Sequence, residues 1–175
     1  DGAWHDETAR LRRVRVRSGF ADPHADVAAV GRCTLVLDNH DRRFSPGDRT
    51  RGALFGNVLP RRAVRLRAVD GEDTWTLFHG VLERIVPHAG RSSAGVITLE
   101  AVDGIALLDR APVAVPHVDQ QSVHDAVSDV VTEAYTPLAA DIADNGDTLA
   151  HVGRAWTPED TSARDALRDL CSSVY

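Results

Sequence analysis

Between residues 11 and 102 apolar side chains recur at every second position, the period at which a strand sends successive side chains to opposite faces. In Leu11–Arg17, Val14 and Val16 alternate with Arg13, Arg15 and Arg17. In Arg32–Asp38, Cys33, Leu35 and Leu37 oppose Arg32, Thr34 and Asp38, and in Ala63–Val69, Val64, Leu66 and Ala68 oppose Arg65 and Arg67. Asp70-Gly71 follows at once and predicts a hairpin, because glycine accepts the positive φ of a tight primed turn. The return strand is expected to run from Thr74 through Trp75, Leu77 and Phe78. Gly80 interrupts it as a bulge or corner, and pairing resumes over Val81–Val86. A Gly/Ser-rich turn, Ala89–Gly95, leads into Val96–Val102, where Ile97, Leu99 and Ala101 share a face. The pattern predicts an antiparallel β-barrel or split barrel with Leu35, Leu37, Val64, Leu66, Leu77 and Leu99 in its core.

The connection over residues 39–62 is long for a compact domain, which marks it as a functional or binding loop. Phe44, Leu54, Phe55 and Leu59 supply apolar anchors, so the loop is expected to be ordered.

From about residue 104 the apolar period changes to that of a helix. Gly104–Arg110 reads as a short closing helix, and Ala111-Pro112 through Val118 as a connector. Ser122 fits an N-cap with Asp125 at the third helical position. Behind it Val123, Ala126, Val127, Val130, Val131 and Ala134 form one stripe. The same arrangement recurs after Ser162, with Asp165 as the acid and Ala163, Ala166, Leu167, Leu170, Cys171 and Val174 as the stripe. The expected fold is therefore mixed β + α: a β-barrel-like domain over residues 1–110, then a helical or α+β segment over 111–175 that is part of an incomplete second domain. The absence of any Met and the stop just past the last stripe are read as signs of a processed or partial chain.

No apolar run approaches the length of a membrane span, and the start has no basic and apolar leader, so neither a transmembrane helix nor a signal peptide is expected. Cys33 and Cys171 both fall on apolar stripes and read as small buried hydrophobes, with a disulfide as the alternative. All 20 basic residues are Arg. Residues 10–67 carry 14 Arg against 5 acids, and residues 111–175 carry 3 Arg against 11 acids. That asymmetry leaves two readings of Arg13, Arg15, Arg17, Arg65 and Arg67. They form either a solvated or subunit-facing strand surface or an electrostatic footprint for nucleic acid. Trp4, Trp75 and Phe78 are not interleaved with the Arg-rich strands, which favours the first.

Catalytic and metal patterns are wanting. The eight histidines are scattered and no Cys/His spacing suits zinc. Asp141–Asp147 departs from a calcium loop, with Ala143 at its third position and Val152 where the bidentate Glu belongs. A chain without Lys has no P-loop, and no Gly-x-Ser-x-Gly elbow occurs. His40-Asp41 in the long loop offers half of an acid–base site at most, because adjacent turn residues seldom address one target and the sequence places no nucleophile nearby. Neither an enzyme nor a cofactor or metal is expected.

The stretch from Gly31 to Pro46, with Thr34-Leu35, Leu37-Asp38-Asn39, Asp41 and Arg43-Phe44-Ser45-Pro46, resembles a T-L-x-L-D-N-x-D-x-R-F-S-P signature. This signature occurs in tail hub (minor tail) proteins of long-tailed bacteriophages and prophages, including gene-transfer-agent-like particles. Asn57-Val-Leu59-Pro60 through Arg67, Leu77–Arg84 and Leu99–Arg110 follow in the family's order, and Trp156 and Ala166–Leu170 are similar to its later helix. The resemblance implies a tail-tube-related barrel in a virion tail tip, or in a tail-like particle assembled in the bacterial cytoplasm. It also implies a homotrimer that links the tail tube and distal tail protein to a central fibre or spike. Alternatives from other classes are a nucleic-acid-binding barrel and a cell-wall or glycan hydrolase module.

Overall fold

Alternation of apolar residues with arginine makes strands that are buried on one face only, and an antiparallel sheet accepts such strands. A computed structural model describes residues 4–25, 27–45, 54, 56–88, 95–114, 121–134 and 161–174. It contains two units, Asp1–Arg17 with Gly31–Asp103, and Ser18–Val30 with Gly104–Tyr175. Pro46, Phe55, Asp141–Asp147, Val152 and Trp156 lie outside the described residues, as does most of the Ala89–Gly95 turn.

The first unit is a five-stranded antiparallel sheet, curled into a half-barrel. Its strands are β1 (Leu11–Arg17), β2 (Arg32–Asp38), β3 (Ala63–Asp70), β4 (Asp73–Pro87) and β5 (Val96–Val102). Their spatial order is β1-β2-β5-β4-β3, so β1 and β3 are the edges. The β3–β4 hairpin turns through Gly71 at φ 60°, the positive first position that a II′ turn requires. Cys33, Leu35, Leu37, Phe78, Leu82, Ile97, Leu99 and Ala101 form the core, with Val64, Leu66 and Val16 packed against it. Burial pushes the Cys33 thiol up to about 11, and the cysteine is free.

Two expectations about β4 are corrected. Leu77 is not a core residue but is 52% exposed. Leu66 pairs with Phe78 and Arg67 with Thr76, so Leu77 is the extra residue of a β-bulge, and Phe78 takes the inward place. Gly80 does not interrupt the strand, which pairs through it with Val64 and runs unbroken over Asp73–Pro87. Gly80 is glycine for a different reason: a Cβ there would overlap the Val102 carbonyl of the neighbouring strand.

The second unit contains α1 (Gly104–Leu108), α2 (Val123–Glu133) and α3 (Ala163–Val174). The Ser122 hydroxyl accepts the Asp125 N–H at 3.0 Å, and the Ser162 hydroxyl accepts the Asp165 N–H at 3.2 Å while donating to the Asp165 carboxylate at 2.7 Å. Ala126 and Val130 of α2 meet Ala163, Ala166 and Leu170 of α3 in a core that also buries Leu108 and Val113. The sequence between the helices does not foretell how the end of α1 is tied to the start of α3. Pro112 and Ser162 form an antiparallel bridge, and the Ala163 N–H donates to the Ala111 carbonyl at 2.8 Å. Arg164 extends this to the 18–30 segment, donating to the Ala28 carbonyl at 3.3 Å.

Candidate functional site

The signature stretch leaves β2 at Asp38 and turns back on itself at once. Leu37 is the last inward residue of the strand, and Phe44 returns an aromatic ring to the same core. Asn39 holds the reversal between them. It is buried, its Oδ1 accepts the Phe44 N–H at 2.8 Å, and its Nδ2 donates to the Ser45 hydroxyl at 3.2 Å. Its backbone carbonyl accepts the Arg42 N–H at 2.9 Å, and its N–H donates to the Gly95 carbonyl. Arg42 sits at φ 61°, a left-handed conformation that costs a non-glycine residue energy and persists because its neighbours fix it. Gly95 adopts φ 105° and lies so close to His40 that a Cβ would meet the His40 Cα at 2.8 Å.

Each carboxylate or guanidinium named in the signature is matched by a residue of the N-terminal segment. Asp38 pairs with Arg12, Asp41 accepts both Arg10 guanidinium nitrogens at 2.9 and 2.7 Å, and Arg43 donates to Glu7 at 2.6, 2.9 and 3.1 Å. The Arg12 guanidinium, followed by the His40 backbone and ring, holds the Asp38 carboxyl well below the usual carboxylate range. Arg10 does the same to Asp41 and is itself raised by that carboxylate. The His40 ring approaches Asp38 at 2.7 Å, on a carboxylate that Arg12 already shares, while Asp41 is engaged by Arg10. These contacts form a clamp between residues 7–12 and 38–45.

The later motif residues behave differently. Asn57, Leu59 and Pro60 are exposed. Leu59 was expected to anchor the connection, but Val58 is the buried residue, joined in the core by Leu54 and Phe44. The Asn57 and Val58 N–H groups both donate to the Leu54 carbonyl, at 2.8 and 3.3 Å, and that tight turn decides which neighbour points inward.

The two Arg-rich strands are the edges of the sheet. Arg13, Arg15 and Arg17 are exposed on β1, and Arg65 and Arg67 are exposed on β3. The expectation that aromatics stay apart from the Arg-rich strands is corrected by Trp4, whose ring lies 4.5 Å below the Arg65 guanidinium and 6.2 Å from the His79 ring. Trp4 and Arg65 are far apart in sequence, and no local signal foretold their meeting. Asp6, whose carboxyl is lowered chiefly by the Thr8 hydroxyl, also senses Arg67. The N-terminal segment thus reaches from the start of edge strand β1 to edge strand β3.

Among the described residues, no group of three or more His, Cys, Asp or Glu side chains is placed to hold a metal ion, and no helix is long and apolar enough to cross a membrane. No family model matches the sequence, and no curated protein sequence matches it.

Proposed function

We propose that the protein is a structural component of a bacteriophage tail tip, a baseplate hub that links the tail tube to the distal tail protein or to a central fibre or spike. The observation that carries this reading is how the signature is used. Its polar residues are spent inside the chain: Asn39 on the turn, and Asp38, Asp41 and Arg43 on Arg12, Arg10 and Glu7. A motif so engaged shapes a scaffold and leaves its groups little freedom to bind or transform a small molecule. The curled sheet with two edges presents strand surfaces of the kind that subunit contacts use. The polypeptide acts as a tail-tube-type barrel subunit, trimeric in the complete particle, without cofactor, metal or catalytic centre.

The test is incorporation. Co-expressed with its tail-tube and distal tail partners, the protein enters a ring at the tail tip, seen in cryo-electron micrographs of the particle. A protein that stays monomeric beside the tail tube refutes the assignment.

A second reading has one observation in its favour. Trp4 stacked on Arg65, with Arg13, Arg15 and Arg17 exposed on the other edge, has the ingredients of a single-stranded nucleic-acid surface. Against it, the arginines are divided between opposite edges of the strand order. A complex with oligonucleotides at physiological salt in the sub-micromolar range, weakening steeply with added salt, would replace the hub reading.

A further inference from the structure

We propose that the tip of the β3–β4 hairpin of one copy docks on the free edge of β1 in a second copy of this chain. The proposal rests on the hub reading, which requires copies to meet, and names the surfaces by which they do so.

The acceptor is β1. It pairs with β2 on one side, and among the described residues nothing pairs with its other side. Arg13, Arg15 and Arg17 project from one face at every second residue, about 7 Å apart in an extended strand. None has a carboxylate partner among the described residues, in contrast to Arg10 and Arg12 just before them. Val14 belongs to the core-facing set, opposite Leu35 in register, yet is 41% exposed, and among the described residues no strand pairs with β1 on its outer side.

The donor is the hairpin tip. Asp70, Glu72 and Asp73 surround Gly71 and are exposed, and none has a basic partner among the described residues. Beside them stand Val69, Trp75 and Leu77, each at least half exposed. Exposed apolar side chains beside polar ones are typical of a contact surface, and here Trp75 shares the face of Asp70 and Asp73 while Val69 lies on the other. The acidic tip answers the basic row on one face of β1, while Val14, on the other face of the same edge, is left for the tip's apolar side chains to cover.

The charges also limit how the copies meet. Pairing β3 along its whole length with β1 would set Arg65 and Arg67 against Arg13, Arg15 and Arg17, and like charges opposite one another oppose pairing. Only the distal end of the hairpin, from Val69 to Trp75, carries the complementary sign. Donor and acceptor are different surfaces, so the contact is heterologous and propagates head to tail until it closes into a ring.

The experiment is charge reversal with mixing, read by sedimentation of the full chain over a concentration series at low salt. The parent self-associates, and association weakens as salt is added. Arg13→Glu/Arg15→Glu/Arg17→Glu and Asp70→Arg/Glu72→Arg/Asp73→Arg each weaken it about tenfold or more, and an equimolar mixture of the two recovers association. Hydrogen exchange on the unaltered protein gives a reading independent of the variants' folding. Amides of β1 and of the hairpin tip gain protection as concentration rises. Association unchanged by either reversal, a mixture that fails to recover, or no gain of protection at β1 overturns the contact. A parent that remains monomeric throughout also overturns it. The hub reading stands or falls separately, on incorporation into the tail tip.

Discussion

Asn39 and Phe44 are joined side chain to backbone, with the Asn39 Oδ1 2.8 Å from the Phe44 nitrogen and both residues buried. This bond allows an aromatic ring to enter the core at the end of a reversing loop without leaving its own amide unsatisfied. Asn39→Ala removes the acceptor from a buried donor and is expected to cost about 1–3 kcal/mol of stability. Asn39→Asp retains an oxygen at the same place and costs less. Urea midpoints of the two variants and the parent check this, and equal midpoints for Asn39→Ala and the parent would contradict it.

The bulge at Leu77 makes a second prediction. Leu37 is enclosed by the core, so Leu37→Ala is expected to destabilise by about 2–5 kcal/mol, from lost burial plus the cavity left behind. Leu77→Ala removes a half-exposed side chain and should lie within about 0.5 kcal/mol of the parent. Similar losses at the two positions would mean that the strand's inward face has been assigned one residue out of register.

Gly80 separates close approach from conformational freedom. Its φ is not positive, so alanine fits the backbone, but the added Cβ collides with the Val102 carbonyl. Gly80→Ala is expected to cost about 1–3 kcal/mol, as overpacked sites do. Gly56, at φ 75° with open space around it, meets only backbone strain on the same change, about 1–2 kcal/mol. The two are distinguished by amide exchange at the strand junction. Gly80→Ala loosens β4 and β5 where they pair, whereas Gly56→Ala leaves that protection intact. Unchanged β4–β5 protection in Gly80→Ala counts against the collision.

Acid sensitivity follows from the clamp. Arg12 and His40 lower the folded-state Asp38 carboxyl, and Arg10 lowers Asp41. In the unfolded chain both carboxyls titrate near the ordinary value of about 3.9. Between the unfolded and folded values the unfolded state binds more protons, so stability falls as pH falls. The contribution is complete above about pH 5 and is lost progressively below pH 4. Arg12→Ala brings the folded Asp38 carboxyl back toward its ordinary value, so the acid limb of the stability profile becomes shallower. Arg12 and Asp41 are exposed and Asp38 and Arg10 only half-buried, so the change is one of slope, read from urea midpoints over a pH series. An unaltered limb in Arg12→Ala argues against the Arg12–Asp38 pair.

The strands, the hairpin at Asp70-Gly71 and the capped helices after Ser122 and Ser162 were legible in the sequence because local rules govern them. Strand period, positive φ at glycine and a hydroxyl within reach of the third amide are decided within a few residues. On the same evidence Leu35, Leu37 and Leu99 faced inward. Leu77 and Leu59 did not follow their apolar character, because a bulge against Arg67 and a turn on the Leu54 carbonyl each shifted the inward position by one residue. The roles of the signature were settled further away still. Glu7 meets Arg43, Arg10 meets Asp41 and Trp4 meets Arg65 across separations that no periodicity encodes. Sequence by itself determined which segments could be strands or helices and which faces were apolar, since those depend on the spacing of side chains along one chain. Tertiary structure decided the strand order β1-β2-β5-β4-β3, the division of the arginines between two edges and the pairing of every charge in the clamp. Those depend on which segments approach in space, and many approaches are compatible with the same local pattern.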